Sequence, residues 1–213
     1  SDRARQFLSD SYAQFENSVR NELGDKVLTH DLDVTLNDSI QEFCDFLKSK
    51  AVKVDGLLHA IAMDRTIRNK KVKPLLEVNF EEFCDTMQVS AFSLVSLVSA
   101  LKHKDLLNKG SSICSLSYIA AQKVTFHPYR NISIAKAALE RITIELADEL
   151  GRKDGTRVNC VRFSPYLGSK AGTATLNSED VDFADKKSPL GNAQPQDLAF
   201  ETAHLLRPDG RIT

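Results

Sequence analysis

Residues 117–136 read S-Y-I-A-A-Q-K-V-T-F-H-P-Y-R-N-I-S-I-A-K, and this stretch decides the predicted fold. It follows a short apolar run at residues 113–116, which is typical of a buried strand. It leads into an amphipathic segment at residues 135–150, which is typical of a helix. Tyr129 and Lys136 are seven residues apart, so one helix would place them on one face, with roughly 10 Å of axial rise between them. Such a strand end, facing a helix that bears Tyr and Lys, suits a nucleotide cofactor beside a carbonyl substrate.

Strands and helices alternate on both sides of this stretch. The predicted strands cover residues 26–32, 54–62, 112–116 and 157–163, and the predicted helices cover 37–47, 80–101, 129–150 and 195–206. The strand at residues 54–62 is apolar after Gly56, which indicates a strand covered on both faces. Residues 164–187 lack a clear period and are predicted to form a loop or short mobile helices. The alternation predicts an α/β fold, a doubly wound parallel sheet with helices on both faces.

Two helix ends carry local signals. Apolar residues spaced three and four apart predict a helix within residues 1–25 that stops at Gly24, and they are Tyr12, Phe15, Val19 and Leu23. Asn37 or Asp38 is predicted to cap the helix that follows the first strand.

The bulk composition fits one soluble domain over residues 1–213. The chain is 42% hydrophobic and 27% charged with a net charge of −1, which argues against a nucleic-acid or membrane-surface partner. No apolar run approaches the ~20 residues of a membrane span, and no signal-peptide pattern opens the chain, so a cytoplasmic location is expected unless a targeting segment lies upstream. Five scattered histidines predict no metal site. Cysteines without a C-x-x-C pair predict buried free thiols at Cys44, Cys84, Cys114 and Cys160.

The spacing of Tyr118, Tyr129 and Lys136 resembles the short-chain dehydrogenase/reductase superfamily, in its branch of NADH-dependent enoyl-acyl-carrier-protein reductases. Ordinary members carry Tyr-x3-Lys, whereas Ile132 stands four residues before Lys136 here. The enoyl reductases carry a Tyr shortly after the strand and then Tyr-x6-Lys, which this chain matches. The resemblance implies that the predicted sheet is Rossmann-like.

Other segments extend the resemblance to about residues 28–213. S-P-L-G at residues 188–191 and P-x-D-L-A at residues 195–199 are close to the family pattern. R-F-S-P at residues 162–165 departs from it, because Ser replaces the usual Gly.

The family's Gly-rich turn is missing from the chain. Backbone N–H groups of that turn normally hold a pyrophosphate at a helix N-terminus, but the sequence has only 9 Gly and no G-x-G-x-x-G. Residues 211–213 resemble the entry to the family's last strand. Relative to the family, the domain is therefore predicted to be incomplete at both ends. Either the sequence omits parts of a longer protein, or the protein is a degraded member of the family.

The resemblance implies cofactor contacts at the strand ends. Asp33 would receive the adenine amino group and Val34 would line its pocket. Alternatively, Asp31 supplies that carboxylate, or Asp33 simply forms a turn. Ser117 and Pro165 occupy two further cofactor-binding positions of the family.

The end of the strand at residues 54–62 also matches the family. Ala60, Ile61 and Ala62 would let the backbone pass close under the adenine ribose. His59 is interpreted as a buried structural histidine. Ser90 stands where many reductases have a catalytic Asn, and its alternative role is helix packing.

Catalytic roles follow from the same resemblance. Tyr129 would hydrogen-bond the thioester oxygen as negative charge develops there, and a nearby cation would tune its phenol. Lys136 would grip the nicotinamide ribose, and Tyr118 would line the acyl pocket. The structural alternative is that Tyr129 is a helix-end aromatic and Lys136 a solvated lysine.

The expected function is NAD(P)H-dependent reduction of the trans-2 double bond of an enoyl thioester, on acyl carrier protein or CoA, in fatty-acid synthesis. NADH and NADPH remain equally open. A carbonyl (3-oxoacyl) reductase of the same family is the second hypothesis, and a non-catalytic relative retained for assembly is the third. Residues 173–187 would form a substrate lid. The resemblance also implies a homotetramer that pairs the helices at residues 80–101 and 129–150.

Overall fold

The computed structural model describes residues 17–19, 21–125, 129–166, 172 and 176–210. The chain divides into two compact units, Ser1–Asp33 and Val34–Thr213. In the first unit, residues 17–19 and 21–23 are helical, and a 3-10 turn follows at Gly24–Lys26. Gly24 has a φ of +68°, a left-handed conformation that commonly ends a helix, as predicted. Tyr12 and Phe15 lie outside the described residues.

The strand predicted at residues 26–32 is absent. Residues 27–33 form neither helix nor strand, and within the described ranges no strand pairs with them. Their apolar pattern suits a strand, but a strand also needs the hydrogen bonds of a neighbour. The prediction is therefore wrong for want of a pairing partner.

The second unit is built on three parallel strands. These are β1 (Val54–His59), β4 (Leu107–Ser117) and β5 (Arg157–Arg162), in the order β1-β4-β5. The residue pairs His59–Ser115 and Ser117–Arg162 bring the carboxyl ends of the strands to one edge of the sheet. A short antiparallel hairpin, β2 (Ile67–Arg68) and β3 (Lys71–Val72), follows β1.

Helices cover both faces of this sheet, and the predicted α/β fold is confirmed. The helices of this unit are α1 (Asn37–Ser49), α2 (Phe80–Met87), α3 (Ser93–His103), α4 (Asn131–Asp154), α5 (Ser178–Lys187) and α6 (Pro195–Leu206), and of these α3, α4 and α6 pack against the strands. The Ser112 hydroxyl donates to the Leu205 carbonyl of α6, whereas Ser115 bonds Thr143 of α4. Because successive strand residues point to opposite faces, α4 and α6 lie on opposite sides of β4.

β1 differs from its prediction in length and exposure. It ends at His59, three residues before the predicted end, and the Leu58 side chain is 43% exposed. β1 is one of the two edge strands of the described sheet and pairs only with β4. The expectation of a strand covered on both faces is therefore wrong, because part of β1, including Leu58, is exposed to solvent.

The helix predicted at residues 80–101 is interrupted. A π-helical turn, Gln88–Phe92, lies between α2 and α3. By length and composition the whole segment Phe80–His103 could cross a membrane, contrary to expectation, but 56% of its most apolar window is buried inside the protein. Such burial is what packing against a sheet requires.

The starts of α1 and α4 also differ from prediction. Leu36 is the N-cap of α1 and makes no side-chain cap bond, so neither Asn37 nor Asp38 is the cap. Both lie inside the first turn, where the negative charge of the Asp38 carboxylate interacts favourably with the positive end of the helix dipole. α4 begins at Asn131, after Arg130, whose φ of +47° is outside the helical region.

Candidate active site

A cavity of about 680 Å³ lies at the carboxyl edge of the sheet. Residues at or just after each strand end line it, among them Ala60 after β1, Leu116 of β4 and Phe163 after β5. Eight residues of the predicted site share this cavity: Ala60, Ile61, Ala62, Ser117, Tyr118, Tyr129, Lys136 and Pro165. Its size and position are those of ligand sites in open α/β sheets.

The two tyrosines meet inside the cavity. The ring centroids of Tyr118 and Tyr129 are 5.4 Å apart with an interplanar angle of 72°, an edge-to-face contact. Burial, and then the neighbouring Tyr129, raise the pKa of Tyr118 to about 12. The Tyr118 phenol is therefore protonated at neutral pH and forms part of the cavity wall.

Tyr129 reaches the cavity from outside the helix. It precedes α4 by two residues, and Arg130 between them has φ +47° and ψ −107°. The predicted geometry, two turns of one helix, is therefore wrong. Both Tyr129 and Lys136 nevertheless line the same cavity.

Lys136 is a cation held by backbone carbonyl groups. Its Nζ donates to the Leu116 oxygen at 2.7 Å and to the Ile61 oxygen at 3.5 Å. Burial lowers the pKa of Lys136 to about 8, while the nearby Cys160 partly opposes that shift. Across the described ranges, Lys136 forms no salt bridge with a carboxylate. Its charge therefore remains available to a ligand in the cavity.

Ser117 takes part in a charge pair that the sequence reasoning missed. Its hydroxyl donates to Glu140 Oε1 at 2.7 Å, and Arg162 grips the same carboxylate through Nε at 2.7 Å and Nη2 at 2.6 Å. The Arg162 hydrogen bond, above all, lowers the pKa of Glu140. The Ser117 side chain thus joins β4, α4 and β5 rather than pointing freely into the cavity. The only feature of the sequence that could have indicated this charge pair was Arg162 in R-F-S-P.

His59 and Ser90 form hydrogen bonds inside the protein core. The Ser93 hydroxyl donates to the Val89 carbonyl at 2.7 Å, so His59 Nε2, 2.7 Å from Ser93, must donate its proton to that hydroxyl. Ser90 is fully buried and bonds both backbone groups of Met63. Neither His59 nor Ser90 lines the 680 Å³ cavity.

The burial of His59 gives a prediction for stability against pH. Burial, and to a smaller extent the charge of Lys136, lowers the pKa of His59 from 6.5 to about 4. Between pH 4 and pH 6.5 the unfolded chain therefore binds more protons at this residue than the folded protein does. Stability should therefore fall as pH drops from 6.5 to 4, by roughly 2–3 kcal/mol from this group. Urea unfolding at pH 7 and pH 4.5 should show that His59→Gln loses less stability than wild type. The exposed His103→Gln is the control and should behave like wild type.

The predicted adenine-side residues are placed differently. Val34 is buried and lines another cavity, of about 500 Å³, with Ile40 of α1 and Phe92 of the π turn. Asp33 belongs to the N-terminal unit. Neither Asp33 nor Val34 is among the residues that line the 680 Å³ cavity.

In the described part of the chain, no group of three or more His, Cys, Asp or Glu side chains could hold a metal ion. All four thiols are free, with Cys44 and Cys114 buried and Cys160 half-buried. The predicted burial of Cys84 is wrong, because its position on α2 is exposed.

A tyrosine and a buried lysine that line one cavity at the carboxyl edge of a parallel sheet are the arrangement expected of a short-chain dehydrogenase/reductase. Residues 7–213 match the family described as Enoyl-(Acyl carrier protein) reductase, and the chain belongs to that family.

Several known proteins are similar to this chain. It is 36% identical over 139 residues to the chloroplastic NADH enoyl-acyl-carrier-protein reductase of Arabidopsis thaliana, covering 65% of this chain and 34% of the relative. It is 35% identical over 178 residues to NADH enoyl-acyl-carrier-protein reductase FabI of Rickettsia bellii, covering 82% and 65%. The FabI–NADH complex of Alistipes finegoldii superposes with a TM-score of 0.76 at 30% identity, covering 83% of this chain and 62% of that one. The chain thus spans between a third and two thirds of the length of these curated relatives.

Proposed function

We propose that this protein reduces the trans-2 double bond of an enoyl thioester with NADH, as a step of fatty-acid synthesis. One observation carries the proposal. Tyr118, Tyr129 and Lys136 converge on a single cavity beside the small residues Ala60 and Ala62. Membership of the enoyl reductase family and the NADH named for its relatives support it.

The cavity fits the nicotinamide–ribose end of a dinucleotide. Lys136 has three N–H donors, and backbone carbonyls of Leu116 and Ile61 receive only two of them. The remaining donor and the uncompensated charge suit ribose hydroxyl groups. No Gly-rich turn for a pyrophosphate occurs in these 213 residues, so the present residues account for this end of the cofactor only.

The substrate oxygen would be the site of charge stabilisation. When bound, NADH supplies the hydride that is added to the β-carbon. Negative charge then develops on the thioester oxygen, and a hydrogen bond from the Tyr129 phenol stabilises it most in the transition state. Lys136 adds a positive field in a cavity where burial weakens solvent screening.

The remaining wall selects the substrate class. The cavity is lined largely by apolar side chains, including Ile67, Ile132 and Leu198, beside the protonated Tyr118. An acyl chain is the ligand that such a wall favours, because it gains free energy on leaving water. Acyl carrier protein or CoA would present the thioester.

Other expectations remain predictions. Relatives named for NADH favour it over NADPH. α5, Ser178–Lys187, covers most of the predicted lid at residues 173–187, while residues 173–175 lie outside the described ones. The homotetramer, the single domain and the cytoplasmic location likewise remain predictions.

The direct test measures oxidation of NADH by the intact protein with crotonyl thioester. We expect turnover with NADH that exceeds turnover with NADPH. A 3-oxoacyl thioester in a parallel assay should be a poor substrate. Faster turnover of the 3-oxoacyl thioester would instead identify a carbonyl reductase. No turnover, together with no binding of either nucleotide by calorimetry, would exclude both reductases and favour a protein retained for assembly.

A further inference from the structure

Asp64 links the cavity wall to the start of α4. Its Oδ2 accepts a hydrogen bond from the backbone N–H of Ile132 at 3.0 Å, across 68 residues of sequence. Its Oδ1 accepts from the backbone N–H of Thr66 at 2.8 Å and from the Thr66 hydroxyl at 2.6 Å. Asp64 and Ile132 both line the cavity. One carboxylate therefore ties two segments of the cavity wall together.

The start of α4 needs such an acceptor. The first N–H groups of a helix have no partner within the helix, and the N-cap Arg130 makes no side-chain cap bond. The left-handed φ of +47° at Arg130 is unfavourable for a residue with a side chain, so neighbouring contacts must hold it. Asp64 supplies both an acceptor for Ile132 and a negative charge at the positive end of the helix dipole.

Asp64 is itself held in place by the residue before it. The buried Ser90 hydroxyl bonds the backbone N–H of Met63 at 2.9 Å and its carbonyl at 2.9 Å. Ser90 lies in the π-helical turn between α2 and α3. Such turns often occur at functional sites, and this one directs a hydroxyl at the strand-end segment.

A second contact ties the same helix turn to α2. The fully buried Asn131 donates from its side-chain amide to the Thr86 hydroxyl at 2.9 Å and to the Glu82 carbonyl at 3.3 Å. Thr86 Oγ1 also lies 3.4 Å from Asp64 Oδ1. The first turn of α4 is thus fixed from two sides.

We propose that Asp64 is a positioning residue: by bonding Ile132 it holds the first turn of α4, and so keeps Tyr129 against Tyr118 in the cavity. Tyr129 lies only three residues before Ile132, with the strained Arg130 between them. The catalytic consequence rests on the proposed function, but the structural consequence does not.

The test compares Asp64→Asn and Asp64→Ala with wild type in the intact protein. The Asn oxygen still accepts from Thr66, but its NH2 group cannot accept from Ile132, so D64N removes one bond with little change of size. Asp85→Asn is the matched control, because it removes a carboxylate from α2 that pairs with Arg65.

Three readouts separate positioning from general stability. Hydrogen exchange at the Ile132 amide should accelerate about tenfold or more in both Asp64 variants. The nuclear Overhauser contact between the Tyr118 and Tyr129 rings should weaken. The kcat should fall about tenfold or more while the dissociation constant for NADH changes less, since small misplacements of a catalytic group are costly. D85N should leave all three unchanged.

Two results would overturn the proposal. One is unchanged exchange at Ile132 in D64A, since the bond would then not hold the helix turn. The other is an intact tyrosine contact with unchanged kcat despite faster exchange. If wild type itself has no turnover, the proposed function fails, and the exchange and ring-contact measurements alone decide whether Asp64 positions Tyr129.

Discussion

Tyr129→Phe should lower kcat for crotonyl thioester reduction by about 10²–10³-fold, because one donor to a developing oxyanion has that effect. The ring keeps its shape, so its edge-to-face contact with Tyr118, at 5.4 Å, should persist. The dissociation constant for NADH should change little, since the phenol acts on the substrate oxygen. Stopped-flow oxidation of NADH measures the first effect and calorimetry the second.

Tyr118→Phe is the matched control for this substitution. It removes a hydroxyl group from the same cavity, but from a residue that is assigned to the cavity wall. We expect a loss of less than about tenfold, because no developing charge depends on it. If Tyr118→Phe were the more damaging variant, the roles of the two tyrosines would have to be exchanged.

Lys136→Met should abolish detectable NADH binding and yet stabilise the folded protein. A buried cation without a carboxylate partner is costly, and Met keeps most of the side-chain volume. The pKa of about 8, against 10.5 for an ordinary lysine, corresponds to a penalty on the order of 3 kcal/mol at pH 7. The lost bond to the Leu116 carbonyl offsets about 1 kcal/mol of the gain. Urea unfolding and calorimetry with NADH check the two effects.

The pH dependence distinguishes this explanation from better packing. Between pH 8 and 10.5 the unfolded chain binds more protons at this lysine than the folded one. Wild type should therefore gain stability from this group as pH rises through that range, and Lys136→Met should lack that gain. The exposed Lys48→Met should resemble wild type in stability and in NADH binding. A destabilised Lys136→Met would show that the bond to Leu116 outweighs the cost of burial.

The clearest disagreements between sequence and structure concern partners distant in sequence. Residues 26–32 have the composition of a strand, yet no described strand pairs with them. Periodicity predicts that Tyr129 lies in the helix, but α4 begins only at Asn131, because the backbone of Arg130 is not helical. Periodicity reports local preference, and both outcomes depend on contacts that periodicity does not contain.

The candidate site shows the same division. The convergence of Tyr118, Tyr129 and Lys136 was predictable, because the carboxyl ends of parallel strands share one edge and a helix follows the strand. The partners of those residues were not predictable. Ser117 donates a hydrogen bond to Glu140, which is 23 residues away in the sequence. His59 is hydrogen-bonded to Ser93, which is 34 residues away.

By itself, the sequence determined the alternation of strands and helices, the parallel sheet and the identity of the chemical groups at its edge. These follow from apolar period and residue type, which are local properties. Only the tertiary structure decided how those groups are held. The amine of Lys136 donates hydrogen bonds to the carbonyls of Leu116 and Ile61, and the backbone N–H of Ile132 at the start of α4 donates to Asp64. Such contacts join residues up to 75 positions apart, and they form only when the chain is folded around them.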